Sequence, residues 1–123
     1  MTKGWTKRKE VLTSYEDIIS YLDKENNFHD YRIGNIEHTA SETMITVEEV
    51  IPGVKVEDSA GPIWDFHFKG VTFFEMMVDV VLGFWIMDVD RGEKPNEISF
   101  SLLSGIIHVA AEQIELGIPS QEN

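Results

Sequence analysis

No cysteine occurs in the 123-residue chain, so thiol nucleophiles, thiolate zinc sites and disulfides are excluded together, and a reducing, cytoplasmic setting is expected. Bases are scarce. Ten lysines and arginines stand against twenty-two acids, a net charge of −12. Lys3, Lys7, Arg8 and Lys9 precede the first acid, Glu10, so the rest of the chain holds six bases and a net charge of −16. So acidic a body repels phosphates, which sets nucleic-acid binding aside. Long apolar runs are missing as well. The longest apolar region, Val71–Met87, is broken by Thr72, Glu75, Asp79 and Gly83; two acids at mid-span are costly in lipid, so no membrane partner is expected. The basic start leads into no apolar segment of signal-peptide type. Glycines are scattered singly rather than gathered in a phosphate loop, and no serine occupies a Gly-x-Ser-x-Gly elbow.

What is present is a pattern of strands. In Ile63–Val71, read IWDFHFKGV, Trp64, Phe66 and Phe68 alternate with Asp65, His67 and Lys69. A period of two places three large aromatics on one face of a strand and an acid, an imidazole and an ammonium on the other. The length fits a single domain over residues 1–123, with a core large enough to need no metal or disulfide.

Residues 1–12 read either as a loose basic arm or as a first edge strand. Ser14 to about Asn26 is a helix, with Ser14 and Asp17 as a capping box and Tyr15, Ile18, Ile19 and Leu22 as its apolar stripe. Tyr31–His38 and Glu42–Ile51 form a hairpin, and 52–61 is an exposed loop. Val71–Gly83 is ambiguous. Thr72-x-x-Glu75 resembles a helix cap, which would put Phe74, Met77, Val78 and Val81 on one buried face, but the same residues are dense in strand formers. Phe84–Asp90 is a strand. Glu97–Leu103 and Ile106–Leu116 flank Ser104-Gly105 as a tight hairpin, and 117–123 is a tail. The fold class is therefore α+β: an N-terminal helix packed on a curved antiparallel sheet of five or six strands, with 72–83 as a second short helix or a further strand.

Chemistry-bearing residues are dispersed. His29, His38, His67 and His108 form no His-x-x-x-His pair. Asp65 and His67 point the same way on one strand, and His29-Asp30 beside them would complete a carboxylate–imidazole set for zinc or iron(II), but no spacing specifies such a site and solvated strand-face residues are the favoured reading. Of the acidic pairs, Asp88 and Asp90 alone share a strand face. No catalytic residue, metal site or cofactor is assigned. The aromatics Trp64, Phe66, Phe68, Phe73, Phe74, Phe84 and Trp85 read as core, or as the lining of a pocket for a small apolar ligand.

Phe28-His29-Asp30 joins a helix end directly to Arg32 and a strand. This stretch, with Ile33 and a looser echo in Phe68–Val71, Ile86–Asp88 and Ile106–Leu116, resembles small bacterial immunity proteins and related families of unknown function. The resemblance implies a non-enzymatic inhibitor that binds and blocks a cognate toxin. The plain alternative has Phe28 anchoring the helix end in the core while His29 and Asp30 bond nearby backbone. The candidate binding residues are thus Phe28, His29, Asp30, Glu57, Asp58, Asp65, His67 and Trp85. The acids, with Glu48, would steer a basic protein partner and an exposed aromatic would anchor it. The oligomeric state is not encoded in any recognisable motif.

Overall fold

The computed structural model describes residues 8–49 and 63–119. In order they form β1 (Arg8–Leu12), α1 (Tyr15–Lys24), β2 (Arg32–His38), β3 (Glu42–Glu48), β4 (Ile63–Val78), β5 (Ile86–Arg91), β6 (Glu97–Leu102) and β7 (Gly105–Pro119), with 3-10 turns at Asn26–Phe28 and Val80–Leu82. The chain is α+β: one α-helix and a seven-stranded antiparallel sheet ordered β2-β3-β4-β7-β6-β5, with β1 also paired to β7. That is one strand more than the largest number expected. The extra strand is β1, whose Leu12 and Val11 oppose Leu116 and Gly117. The same pairing extends β7 to Pro119, so 117–119 is strand rather than tail and 8–12 is not a loose arm.

The second correction concerns 72–83. The strand that begins at Ile63 runs unbroken to Val78, and only Val80–Leu82 makes a short 3-10 turn. Its partner accounts for this. β7 pairs with β4 from Asp65↔Gly117 to Val78↔Gly105, giving Phe73–Met77 a complete ladder that a helix cap at Thr72 cannot match. A register shift between Val71 and Phe73, just after Gly70 at φ 66°, forms a bulge in β4. Across it the buried residues of β7 change from Ile107, Val109 and Ala111 to Ile114 and Leu116.

The alternation in β4 holds as expected. Trp64, Phe66 and Phe68 are buried, and they share one core with Ile18 and Leu22 of α1 and with Ile45, Val47, Ile98, Phe100 and Leu116. Ser14 caps α1 through its side chain, accepting from the Asp17 amide at 3.4 Å. The Tyr15 hydroxyl donates to the Glu97 carbonyl at 2.7 Å, and Trp64 Nε1 donates to the Tyr21 oxygen at 2.8 Å.

After the helix, Asn26, Asn27 and Phe28 take φ values of 56°, 54° and 56°, a left-handed run that asparagine tolerates and phenylalanine does not favour. Phe28 is fully buried, with its ring 4.9 Å from Trp64 and 5.6 Å from Tyr31 between centroids. Burying a phenylalanine contributes about 1.5–3 kcal/mol and the ring pairs add to it, which offsets the roughly 1–2 kcal/mol of left-handed strain.

The two ends of the strand order touch. Arg32 and Trp85 form an isolated bridge, the Ile33 amide donates to Phe84 O at 3.0 Å, and the Ile86 amide donates to Tyr31 O at 2.8 Å. The β6–β7 hairpin turns at Leu103-Ser104, one residue earlier than expected, which makes Gly105 the first residue of β7. Gly105 has φ 151°, and a Cβ there would overlap the Met77 carbonyl oxygen and lie 2.9 Å from Val78 Cα. Gly105→Ala should therefore cost about 2–4 kcal/mol, lowering the melting temperature by roughly 10 °C; a thermal melt within about 2 °C of the parent would contradict this packing.

Candidate functional site

The Phe28–Asp30 segment lies along the outer edge of β5. Asn27 Nδ2 donates to Val89 O at 2.9 Å, His29 Nδ1 lies 2.8 Å from Met87 O, and the Asp30 amide donates to Ile86 O at 2.9 Å. Since a carbonyl only accepts, His29 Nδ1 carries the proton there. The β5 carbonyls of Val89, Met87 and Ile86 are thus covered by a side-chain amide, an imidazole and a backbone amide, which protects an edge strand from further pairing. The Asp30 carboxylate is exposed, 3.5 Å from His29 Nε2.

Asp65 and His67 lie elsewhere, on the face of β4 opposite the core. Thr46 Oγ1 donates to Asp65 at 3.2 Å, and His67 Nε2 is 2.8 Å from Glu42 Oε1 on β3. The fold does not bring His29-Asp30 beside them, and among the described residues no group of three histidine, aspartate or glutamate side chains is placed to hold a metal ion. Glu57 and Asp58 fall outside the described residues. Glu48 pairs with Arg32 at 2.7 Å.

One constellation went unrecognised in the sequence. Glu97, almost wholly buried, places Oε2 3.2 Å from His108 Nδ1, while Ser99 Oγ lies 2.7 Å from the same nitrogen. Its other oxygen accepts the Lys94 amide at 2.7 Å. The residue types are those of a Ser–His–Glu triad, but hydroxyl and carboxylate both meet Nδ1, whereas a triad needs them on opposite ring nitrogens. The arrangement clamps β6 to β7 and satisfies a buried carboxylate. Shifting the hairpin turn by one residue would have revealed it, because Ser99 then falls opposite His108.

The most distinctive surface is apolar. Among the described residues, six of the exposed large hydrophobic side chains fall between Met76 and Met87, and Leu103 joins them. Val81 is 88% exposed, Met77 65% and Leu82 57%. These segments meet at one end of the sheet, where the Asp79 amide donates to Ser104 O at 2.8 Å and the Leu103 amide to Trp85 O at 3.0 Å. Trp85, one of the candidate binding residues, is in this group. Met77 and Val81, which the helix reading would line up on a buried face, are instead exposed, Met77 on the outward face of β4 and Val81 in the 3-10 turn that follows it. Beside them a cavity of about 270 Å³ opens between Ile33 and Ile36 of β2, Met76 of β4 and Phe84. The acids Glu75 and Asp79 are exposed at the end of β4, and no helix among the described residues is long and apolar enough to cross a membrane.

Comparison of the chain with known protein families, with curated proteins and with solved structures finds no match.

Asp88, near the same end on β5, is raised above the ordinary carboxyl value by desolvation and then by the neighbouring Asp90 charge, with His29 opposing. A raised native-state value means the folded chain holds this proton more tightly, so stability falls as pH rises from the ordinary value of 3.8 through the native one and stays lower at neutral pH. Asp88→Asn should raise the melting temperature by roughly 1–3 °C at pH 7, and the gain should vanish below pH 3.8; an equal gain at both pH values would contradict the cause assigned.

Proposed function

We propose that this protein is a non-enzymatic binding protein that engages a basic protein partner and blocks it, in the manner of the immunity proteins its sequence resembles. The observation that carries this reading is the apolar end formed by Met77, Val81, Leu82, Trp85 and Leu103 on a chain of net charge −12. Monomeric surfaces rarely concentrate large apolar side chains in this way unless a partner covers them. A few aromatic and aliphatic anchors dominate interface energy, and a surrounding field of one sign speeds encounter with the opposite sign. The helix packed on a curved sheet, with the sheet's ends meeting at Arg32 and Trp85, supplies the rigid frame that holds these anchors in place. Asp30, Asp65 and the acids Glu57 and Asp58, which lie outside the described residues, supply steering in this reading.

A second reading rests on the cavity between β2, Met76 and Phe84. At about 270 Å³ it lies just below the roughly 300–1,000 Å³ of sites for drug-sized ligands, so it suits a small apolar ligand or one inserted side chain. An apolar ligand that raises the melting temperature would favour it.

Native mass spectrometry of the protein purified from its own host should show a stoichiometric protein companion. Replacing Val81 and Leu82 by aspartate alters exposed positions, so stability should change by less than about 0.5 kcal/mol while the companion is lost. A companion retained by that variant, or a bare chain from the host, would contradict the reading.

A further inference from the structure

The second half of β4 is paired on one side only among the described residues. β3 pairs with β4 as far as Lys69, whereas β7 follows β4 to Val78. Which backbone groups are left open follows from the hydrogen bonds at the strand's end. The Asp79 amide donates to Ser104 O, in step with the Met77↔Ile106 and Glu75↔His108 pairs. In an antiparallel ladder the bonded pairs alternate, so Glu75 and Met77 direct their N–H and C=O groups to β7. Phe74, Met76 and Val78 direct theirs to the open side.

Among the described residues that edge lacks the usual protection. Exposed edges are normally kept short, or blunted with lysine, proline or a covering loop, and β5 in this same chain is covered by Asn27 and His29. The open stretch of β4 reads Phe73-Phe74-Glu75-Met76-Met77-Val78, with no proline and no base. The cavity lined by Met76, Ile36 and Phe84 lies directly beside it. Phe74, two residues before Met76 on the same strand face, stacks on His38 with ring centroids 4.0 Å apart.

We propose that this edge is a strand-addition site, at which an extended segment of the partner pairs antiparallel with Phe74–Val78. The inference rests on the binding reading above and names how the partner is held. Its chemistry follows from the register. Residues opposite Phe74, Met76 and Val78 share their inward face, so they are apolar and one of them fills the cavity. The alternate residues face outward beside Glu75 and Asp79, on a chain of net charge −12, and are lysine or arginine. A second copy of this chain is a poorer occupant, because it brings a further −12 and offers no base in the pairing segment.

The test uses a fluorescein-labelled octapeptide of alternating valine and arginine and the full-length protein, read by fluorescence anisotropy. The peptide should bind. N-methylation of its valines, whose amides would meet β4, should weaken binding at least tenfold, and replacing arginine by glutamate should do the same. Met76→Pro removes an amide from the open edge without breaking a bond to β7, so it should abolish binding while the chain stays folded. If that variant fails to fold, the N-methylated peptide decides alone. Equal binding of the N-methylated or the glutamate peptide would overturn the proposal, as would no binding at millimolar peptide. A dimer that Met76→Pro dissociates, with no peptide binding, would overturn it in favour of a second copy. A host companion that survives Met76→Pro but not the Val81 and Leu82 substitutions would sink strand addition and leave the binding reading standing.

Discussion

The ladder between β4 and β7 is the constraint on which the rest of the molecule depends. It joins the two longest strands, and three others attach to it directly, β3 to the first half of β4 and β6 and β1 to opposite ends of the other edge of β7, while β2 and β5 follow through β3 and β6. Two strands of this length cannot run flat against one compact core, because paired strands twist and a long pair must coil. The bulge after Gly70 accommodates that coiling, and the change of buried positions in β7 is its consequence. β3 follows only the part of β4 before the bulge. The open edge and the cavity beside it therefore arise from the same geometry that builds the core.

The second determinant is Phe28. Its ring contacts Trp64, Tyr31 and Phe66, and it draws three consecutive residues into left-handed backbone to reach them. The same turn carries Asn27 and His29 to the carbonyls of β5. A core anchor and an edge cover are thus made by one five-residue segment. The contrast with β4 is informative: the edge of β5 near the helix is closed by the Asn27 and His29 side chains, while the edge of β4 at the apolar end is open among the described residues.

Where local signals carry enough information, the elements could be read in advance. Ser14 with Asp17 marked the helix start, Thr39–Ser41 marked the β2–β3 turn, and the period of two in Trp64–Phe68 marked the buried face of β4. The failures share a cause, namely dependence on partners distant in sequence. Thr72–Val78 is apolar on both faces, so its period is uninformative, and only β7, some thirty residues away, makes it a strand. β1 is decided by Leu116–Ile118 at the far end of the chain. The left-handed run through Phe28 has no marker beyond two asparagines. The apolar end is hidden in the sequence because a helix over 72–83 would bury Met77 and Val81, and the Glu97–His108 clamp because Ser99 faces His108 only when the hairpin turns at Leu103-Ser104.

Strand addition requires that β4 be bonded on one side only beyond its bulge, as it is among the described residues. Residue-resolved amide hydrogen exchange on the free protein measures this directly. The account predicts a period of two: slow exchange at Glu75 and Met77, whose amides meet β7, and fast exchange at Phe74, Met76 and Val78. Uniform protection from Phe74 to Val78 would mean the edge is already occupied in the free chain, and would contradict it.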